Sequence, residues 1–391
     1  MLRISVEERR ARLLRRHRLA PGDRAVDALA GARAVVSLHS TDAATVFLSL
    51  LARTEGVAPA DVERALYEER ALVRMLAMRR TLWVVPRDLV PVVEAAATRS
   101  VAARERRRLE GFVRESGIST QPSAWLARAG RAALAAVEQR GEAFTADVTR
   151  DVPLLAKKLR LGIGTRWETT QSAAARVLPQ LAMEGLLVRG RPRGGWANGQ
   201  YRWVPAAAWL GGELQTMEPG VARAELLRRW LSAFGPATET DIRWWTGWTA
   251  REARGALAAV PHVEVDLDGV AGLVLAGDLE PTPPPEPWAA LLPTLDPTTM
   301  GWKQRDWYLG PHAAVLFDRN GNAGSTVWWD GRVVGGWAQR ADGEISFRLL
   351  EDVGADAVRA VEAEAERVAA WVGDTRVAPG FLPPFQRGLA S

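Results

Sequence analysis

Four consecutive polar residues, His39, Ser40, Thr41 and Asp42, interrupt an otherwise apolar stretch of the sequence. They separate the run VVSL from AATVFLSLL, whose apolar residues have helical spacing. Thr41 or Asp42 is a suitable N-cap for a helix that begins near Ala43, so the motif is predicted at a helix N-terminus. Free backbone N–H groups there favour an anion, a hydroxide or a phosphate. His39 could hold or deprotonate a water molecule, with the Thr41 hydroxyl fixing its second hydrogen bond.

A purely structural interpretation of this motif is also open. In that case Thr41 and Asp42 only cap the helix, and His39 is an ordinary histidine of the capping loop. The remaining histidines, His17, His262 and His312, share no metal-ligand spacing, and the chain contains no cysteine. The sequence therefore predicts no metal site and no cofactor.

A second group of candidate residues lies in the segment MRRTLW, where a helix is predicted to meet a strand. Arg79, Arg80 and Thr81 could hold phosphates, and Trp83 could line a pocket beside them. The alternative is a solvated basic turn followed by a core tryptophan.

Further basic residues surround two predicted turns. Arg189, Arg191, Arg193 and Arg202 flank the hairpin RGGWANGQYRW, which has the character of a basic wing that contacts DNA phosphates. Arg319 and Asn320 form a tight hairpin tip that could probe a groove, although most such tips are only turns. In LDPTTMGWKQRD, the group Asp296, Lys303, Arg305 and Asp306 could be either a set of ion pairs or a DNA contact.

The composition indicates a cytoplasmic protein of several compact units. The chain has 391 residues, of which 47% are hydrophobic, and it has neither a run of transmembrane length nor a signal peptide at its charged N-terminus. Of the 51 basic residues 48 are arginines, and the net charge is +5. Arginine suits phosphate better than lysine does, so this bias favours nucleic acid as a partner, although a solvated surface explains the charge equally well.

The order of the predicted elements indicates an α+β protein of tandem winged-helix (helix-turn-helix) units followed by a β-barrel-like unit. Three times along the chain, helices precede a strand pair or a wing. A Pro-rich linker, EPTPPPEPW, then leads into strand-forming runs joined by Asn320-Gly321, Asp330-Gly331 and Asp342-Gly343, and an acidic helix follows. The predicted boundaries are 1–115, 116–220 and 221–279 for the three winged-helix units, the first with the polar motif, and 280–391 for the β-rich unit with its terminal helix.

Most of the chain resembles the winged-helix crosslink-repair DNA glycosylases of the AlkZ/YcaQ type. The resemblance rests on five phrases in the same order: VSLHSTDAATVFLSLLART, LVRMLAMRRTLWVVP, FGPATETDIRWWTG, LLPTLDPTTMGWKQRDW and VWWDGRVVGGW. The family's catalytic motif is Gln, a small or apolar residue, then Gln or Asp, just before a helix. Here His39-Ser40-Thr41 stands at that place, so the sequence departs from the family at its catalytic positions.

The resemblance implies a clamp of winged helices around duplex DNA, with residues 78–83 facing the active cleft. It implies a monomeric DNA repair enzyme that hydrolyses the N-glycosidic bond of N7-alkylated or bulky purine adducts, interstrand crosslinks among them, without lyase activity. His39, Ser40, Thr41 and Asp42 are then the catalytic candidates. Because of the altered motif, a non-catalytic winged-helix regulator or lesion sensor is the main alternative, and a protein-interaction role is a third.

Overall fold

A three-stranded antiparallel sheet carries the polar motif in the first part of the chain. The computed structural model describes residues 2–380 and 382–390. The central strand of this sheet, Leu82–Pro86, pairs with Leu38–His39 on one side and with Leu72–Leu76 on the other. This pairing confirms the strand predicted for TLWVVP. The helices of this part are Val6–Arg16, Ala28–Ala34, Ala43–Arg53, Pro59–Glu63 with its π-helical continuation Arg64–Glu68, Val90–Val93 with its continuation Glu94–Thr98, and Arg99–Glu115.

The second part ends in the predicted basic hairpin. Helix Ala174–Met183 is terminated by Gly185, whose φ of 75° suits glycine at a helix C-terminus, and the strand Leu187–Pro192 follows. That strand pairs with Tyr201–Pro205, so the hairpin prediction is confirmed. The other elements here are the helices Pro122–Arg140, Thr145–Asp151 and Ala206–Leu210 and the strand pair Lys158–Leu161 and Thr169–Ser172.

The third part has three helices and a hairpin, as predicted. The helices are Pro219–Phe234, Glu239–Thr246 and Ala250–Ala258, and the strands His262–Asp266 and Ala271–Leu275 are joined through Asp268 and Gly269, both with positive φ. Thr249 and Glu252 form the predicted capping box. The sequence gives no sign of a third strand, yet Leu2–Arg3 pairs in parallel with His262–Asp266.

The C-terminal part contains an open sheet, so the predicted barrel is wrong. Four antiparallel strands, Ala289–Leu292, Thr326–Trp329, Arg332–Gln339 and Ile345–Leu349, lie in that order, and the first and last do not pair. Closure needs about five strands or more. Helices Ala355–Val372 and Pro384–Ala390 instead pack against the sheet and cover its apolar residues. The Asp330-Gly331 and Asp342-Gly343 hairpins are confirmed, whereas Phe317 and Ala323 around Asn320-Gly321 form only an isolated bridge.

One hydrophobic core connects distant parts of the chain. It contains buried residues from Leu13 to Val372, drawn mainly from the first, third and C-terminal parts, with a few from the hairpin of the second part, such as Val188 and Trp196. A second core runs from Leu109, at the end of the first part, to Trp203 of the second part. The first helix is fixed to this core by Arg12, which is fully buried and donates to the carbonyl oxygens of Asp278 and Glu280. The mixed α+β class is thus confirmed. Among the described helices, none has the length and apolar character needed to cross a membrane.

Candidate active site

His39 is held in the short strand Leu38–His39, directly opposite Trp83 of the central strand. The imidazole and the indole are in contact, with ring centroids 3.7 Å apart and a tilt of 33°. His39 is 4% exposed, and Trp83 beneath it is buried against Trp245. The indole N–H donates to the carbonyl of Met78, and this hydrogen bond holds the indole ring in place beneath the imidazole.

Neither ring nitrogen of His39 has a hydrogen-bond partner among the described residues, and both are buried. Burial, and secondarily the positive charge of Arg79, lower the pKa of His39 to about 3. The imidazole is therefore neutral at physiological pH, with one N–H donor and one nitrogen acceptor. Buried polar atoms of this kind normally find a partner, and a water molecule can accept from one nitrogen or donate to the other.

Ser40 directly follows the strand Leu38–His39, and its side chain has different partners from that of His39. Its hydroxyl accepts a hydrogen bond of 2.7 Å from Nε of Arg74, which is 2% exposed. Nη1 of Arg74 donates to the Tyr67 hydroxyl at 2.9 Å, and its guanidinium lies 4.2 Å from the centre of the Tyr201 ring. The Ser40 hydroxyl is thus engaged with Arg74, whereas the ring nitrogens of His39 have no partner among the described residues. Arg74 is not among the residues predicted from the sequence, although a charged residue inside the apolar run LVRML is an anomaly that could have identified it.

Thr41 and Asp42 differ in role. Asp42 is the N-cap of helix Ala43–Arg53, and its Oδ1 accepts from the backbone N–H of Ala44 at 3.0 Å. Its Oδ2 accepts from Gly380 at 3.0 Å, so both carboxylate oxygens are engaged, and burial raises the pKa of this carboxyl. Thr41 is exposed at the end of the motif. Of the two residues predicted as N-cap, Thr41 and Asp42, it is Asp42 that caps the helix.

Apart from Arg319, the predicted DNA-binding arginines divide into two groups of three according to their partners. Three form ion pairs within the protein: Arg80 with Glu105, Arg191 with Glu63 and Glu68, and Arg202 with Glu142. Three others make no ion pair with the described residues and contact only aromatic rings: Arg79 over Trp244, Arg189 over Trp203, and Arg193 over Phe144, at 4.2, 4.8 and 4.5 Å from the ring centres. Arg191 and Arg202 also lie over rings, in addition to their ion pairs. Of the three arginines without an ion pair, exposed Arg193 is the most available to an external anion, whereas burial lowers the pKa of Arg189 to about 10.

The remaining candidates lie in turns. Thr81 donates to the carbonyl of Met78 and so closes the turn that carries Arg79 and Arg80. Arg319 and Asn320 are exposed at a tight turn, whose backbone N–H groups at Asn320 and Asn322 donate to the Asp318 carboxylate.

The polar group predicted in LDPTTMGWKQRD does not exist as a cluster. Asp296 is buried and forms a bidentate ion pair with Arg53 of the helix that follows the motif, with bonds of 2.6 and 2.8 Å. Arg305 lies elsewhere, over the rings of Trp244 and Phe317. The described residues contain no group of three His, Cys, Asp or Glu side chains suited to a metal ion.

Comparisons with known proteins agree with this architecture. Residues 32–371 match the family model described as DNA glycosylase AlkZ-like. No curated protein matches the sequence. The fold is similar to that of the Streptomyces sahachiroi DNA glycosylase AlkZ, with a TM-score of 0.73 and 22% identity over 96% of this chain and 99% of that one. Since the family model covers most of the sequence, the chain belongs to the AlkZ-like DNA glycosylases.

Proposed function

We propose that this protein is a monofunctional DNA glycosylase that releases N7-alkylated or bulky-adduct purines from duplex DNA, including purines joined in interstrand crosslinks. Three winged-helix units, residues 1–115, 116–220 and 221–279, form the clamp that holds the duplex. The protein acts as a monomer in the cytoplasm and needs no cofactor. His39 is the central residue of the active site, and Thr41 helps it to hold the attacking water.

The observation that carries this proposal is the state of His39 at the family's catalytic position. Its two ring nitrogens are buried and unpartnered, and the low pKa keeps the ring neutral. A neutral imidazole can orient a water molecule through a hydrogen bond without competing for its proton. In a site shielded from bulk solvent, that hydrogen bond is stronger than in water. The exposed Thr41 hydroxyl supplies the second hydrogen bond to the same water.

The chemistry of the substrate explains why a histidine with so low a pKa is sufficient for base release. An N7-alkylguanine carries a positive charge, so its glycosidic bond is already labile and the departing base needs no general acid. The transition state resembles an oxocarbenium ion, which a positioned water attacks with little need for prior deprotonation. Asp42 has both oxygens engaged, so its contribution is to hold the motif at the helix N-terminus.

A base-release assay tests this proposal against the regulator alternative. Duplexes that carry N7-methylguanine, or separately a bulkier natural-product adduct, are incubated with excess protein, and abasic sites are counted after alkaline cleavage. A glycosylase gives abasic sites in at least one substrate. If neither duplex loses a base while the protein selects one DNA sequence, the regulator is favoured and the enzyme proposal fails.

The absence of lyase activity is part of the same proposal. Strand cleavage by that route requires an amine that forms a Schiff base with the sugar aldehyde. The only lysines are Lys157, Lys158 and Lys303, none of them in the motif of residues 39–42. Borohydride should therefore trap no covalent protein–DNA adduct during base release. A robust adduct that disappears in Lys303→Ala would contradict the monofunctional mechanism.

A further inference from the structure

Two arginines from opposite ends of the sequence lie over one tryptophan. The guanidinium carbon of Arg79 is 4.2 Å from the centre of the Trp244 ring, and that of Arg305 is 5.0 Å from the same centre. All three side chains are partly exposed, so part of each can be reached from outside the protein. We call Arg79, Trp244 and Arg305 the arginine pair site.

The two positive charges of this site are not compensated within the protein. Neither arginine forms an ion pair with a described residue, and Nη1 of Arg305 is buried without a hydrogen-bond partner. Burial and the nearby charge of Arg305 both lower the pKa of Arg79. Asp241, on the helix that carries Trp244, forms no ion pair with either arginine; its oxygens accept from Thr238 and from the backbone N–H groups of residues 303 and 304.

The backbone holds the site in place. Arg79 and Arg80 both have left-handed conformations, with φ of 55° and 61°, in a turn closed by Thr81. Gly247 ends the helix of Trp244 with φ 74°, a conformation that favours glycine, and a Cβ there would lie in ordinary contact, 3.5 Å, with the backbone nitrogen of Arg79, so the end of this helix packs against the turn of Arg79. Arg305 also lies over Phe317, which precedes the exposed turn of Arg319 and Asn320. Like charges held together by a fixed scaffold are a ready site for an anion.

We infer that Arg79 and Arg305 together bind one backbone phosphate of the DNA duplex, next to the active site. This inference rests on the DNA-binding part of the proposed function. A phosphodiester accepts hydrogen bonds from two guanidinium groups and removes their mutual repulsion, while Trp244 keeps both groups oriented. Trp83, which contacts the His39 ring, donates to the carbonyl of Met78, the residue before Arg79. The phosphate is therefore bound near the imidazole, where it fixes the register of the damaged strand.

The test is the salt dependence of binding to an undamaged duplex, measured for the parent protein, Arg79→Gln, Arg305→Gln and the double variant. Neutralising one phosphate contributes about 0.9 to the slope of log affinity against log salt. If both arginines share one phosphate, each single variant leaves one cation in place and changes the slope by less than half of that amount. The double variant should lose about 0.9 of the slope and bind roughly tenfold or more weakly.

Controls separate loss of the phosphate contact from loss of folding. Arg305→Lys keeps the charge and should keep the slope. Arg340→Gln removes an exposed arginine paired with Glu344 and should change neither slope nor affinity. Unfolding midpoints of all variants are compared with that of the parent.

Two results would overturn the inference: an unchanged slope in the double variant, or full and additive losses in both single variants, which indicate separate phosphates. Measurements on the parent protein distinguish failure of this inference from failure of the proposed function. If the parent shows no salt-dependent DNA binding, the proposed function itself fails. If the parent binds DNA but releases no base, the salt slopes of the variants still test the shared phosphate contact.

Discussion

At the scale of single residues, the burial of His39 separates two catalytic roles that the sequence leaves open. A general base works best when its pKa is close to the working pH, and a pKa of about 3 is far from that range. The same low pKa suits a group that only accepts a hydrogen bond from water. In the mechanism that we propose, His39 therefore positions water and does not transfer its proton.

Substitution of His39 should lower turnover more than DNA binding. Its interaction with the attacking water is made mainly in the transition state, so His39→Ala should reduce the single-turnover rate of base release by about 10²–10⁴-fold. Affinity for the damaged duplex should stay nearly unchanged, and Thr41→Ala should have a smaller effect on the rate. Rapid-quench measurement of abasic sites gives these rates.

His39→Gln distinguishes positioning from proton transfer. Glutamine can hold a water but cannot accept its proton, and it restores the first residue of the family motif. We expect this variant to retain most of the parent rate. A loss as large as that of His39→Ala would contradict the positioning role, and full activity of His39→Ala would place the catalytic group elsewhere in the cleft.

His39 should also make folding stability depend on pH. Its folded pKa of about 3 lies below the ordinary 6.5, so between these values the unfolded chain binds more protons. The free energy of unfolding should fall as pH drops below 6.5, by about 2 kcal/mol from this residue at pH 5. Urea unfolding at pH 7.5 and 5 should show a smaller fall in His39→Gln. Buried His17 has a lowered pKa too, but it contributes equally to both proteins. An identical pH dependence in both would show that His39 is accessible to protons.

At the scale of elements, the sequence predicts local structure well and long-range contacts poorly. The helix after Asp42, the hairpin of residues 187–205 and the turns at Asp268-Gly269 and Asp330-Gly331 follow from capping residues, apolar periodicity and residues that tolerate positive φ. These signals are contained within a few neighbouring residues, so a single sequence is enough to detect them.

Contacts between distant segments leave no such signal. The sequence does not reveal that Arg74 bonds to Ser40, that Arg79 and Arg305 meet at Trp244, or that Asp296 pairs with Arg53. The predicted barrel was wrong for a related reason. Strand-forming runs predict strands, but whether the outer strands meet depends on their number and on the helices that cover the sheet.

The ion pair of Arg53 and Asp296 should be important for stability because it joins the motif's helix to the C-terminal part. Both side chains are fully buried, and Ser49 also donates to the Asp296 carboxylate at 2.7 Å. Asp296→Ala leaves a buried guanidinium without a counter-charge, so we expect a loss of about 3–5 kcal/mol in the free energy of unfolding. Denaturant titration measures it. Asp356→Ala, which removes an exposed partner of Arg359, is the matched control and should leave the midpoint nearly unchanged.

At the scale of the whole molecule, the division of arginines by partner predicts which ones contact the duplex. Arg193 lies over Phe144 without an ion pair, whereas Arg191 is bound to Glu63 and Glu68. Arg193→Ala should therefore flatten the salt dependence of DNA binding by about 0.9, and Arg191→Ala by less. Both effects should be the same for every DNA sequence, because phosphate contacts carry no sequence information. The reverse order, or a loss confined to one sequence, would indicate that these arginines read bases.

The fixation of the first helix by Arg12 has a consequence for how the chain is made. The carbonyl groups that accept from Arg12 belong to residues 278 and 280, and Arg10 donates to the carbonyl of Trp307. Ribosomes add about 5–20 residues per second, so Val6–Arg16 waits roughly 15–60 s for these partners to be synthesised. During that interval its apolar side is exposed on the nascent chain. The second part of the chain, with its own core, can fold in the meantime, whereas the sheet that carries His39 reaches its final packing only when translation is nearly complete.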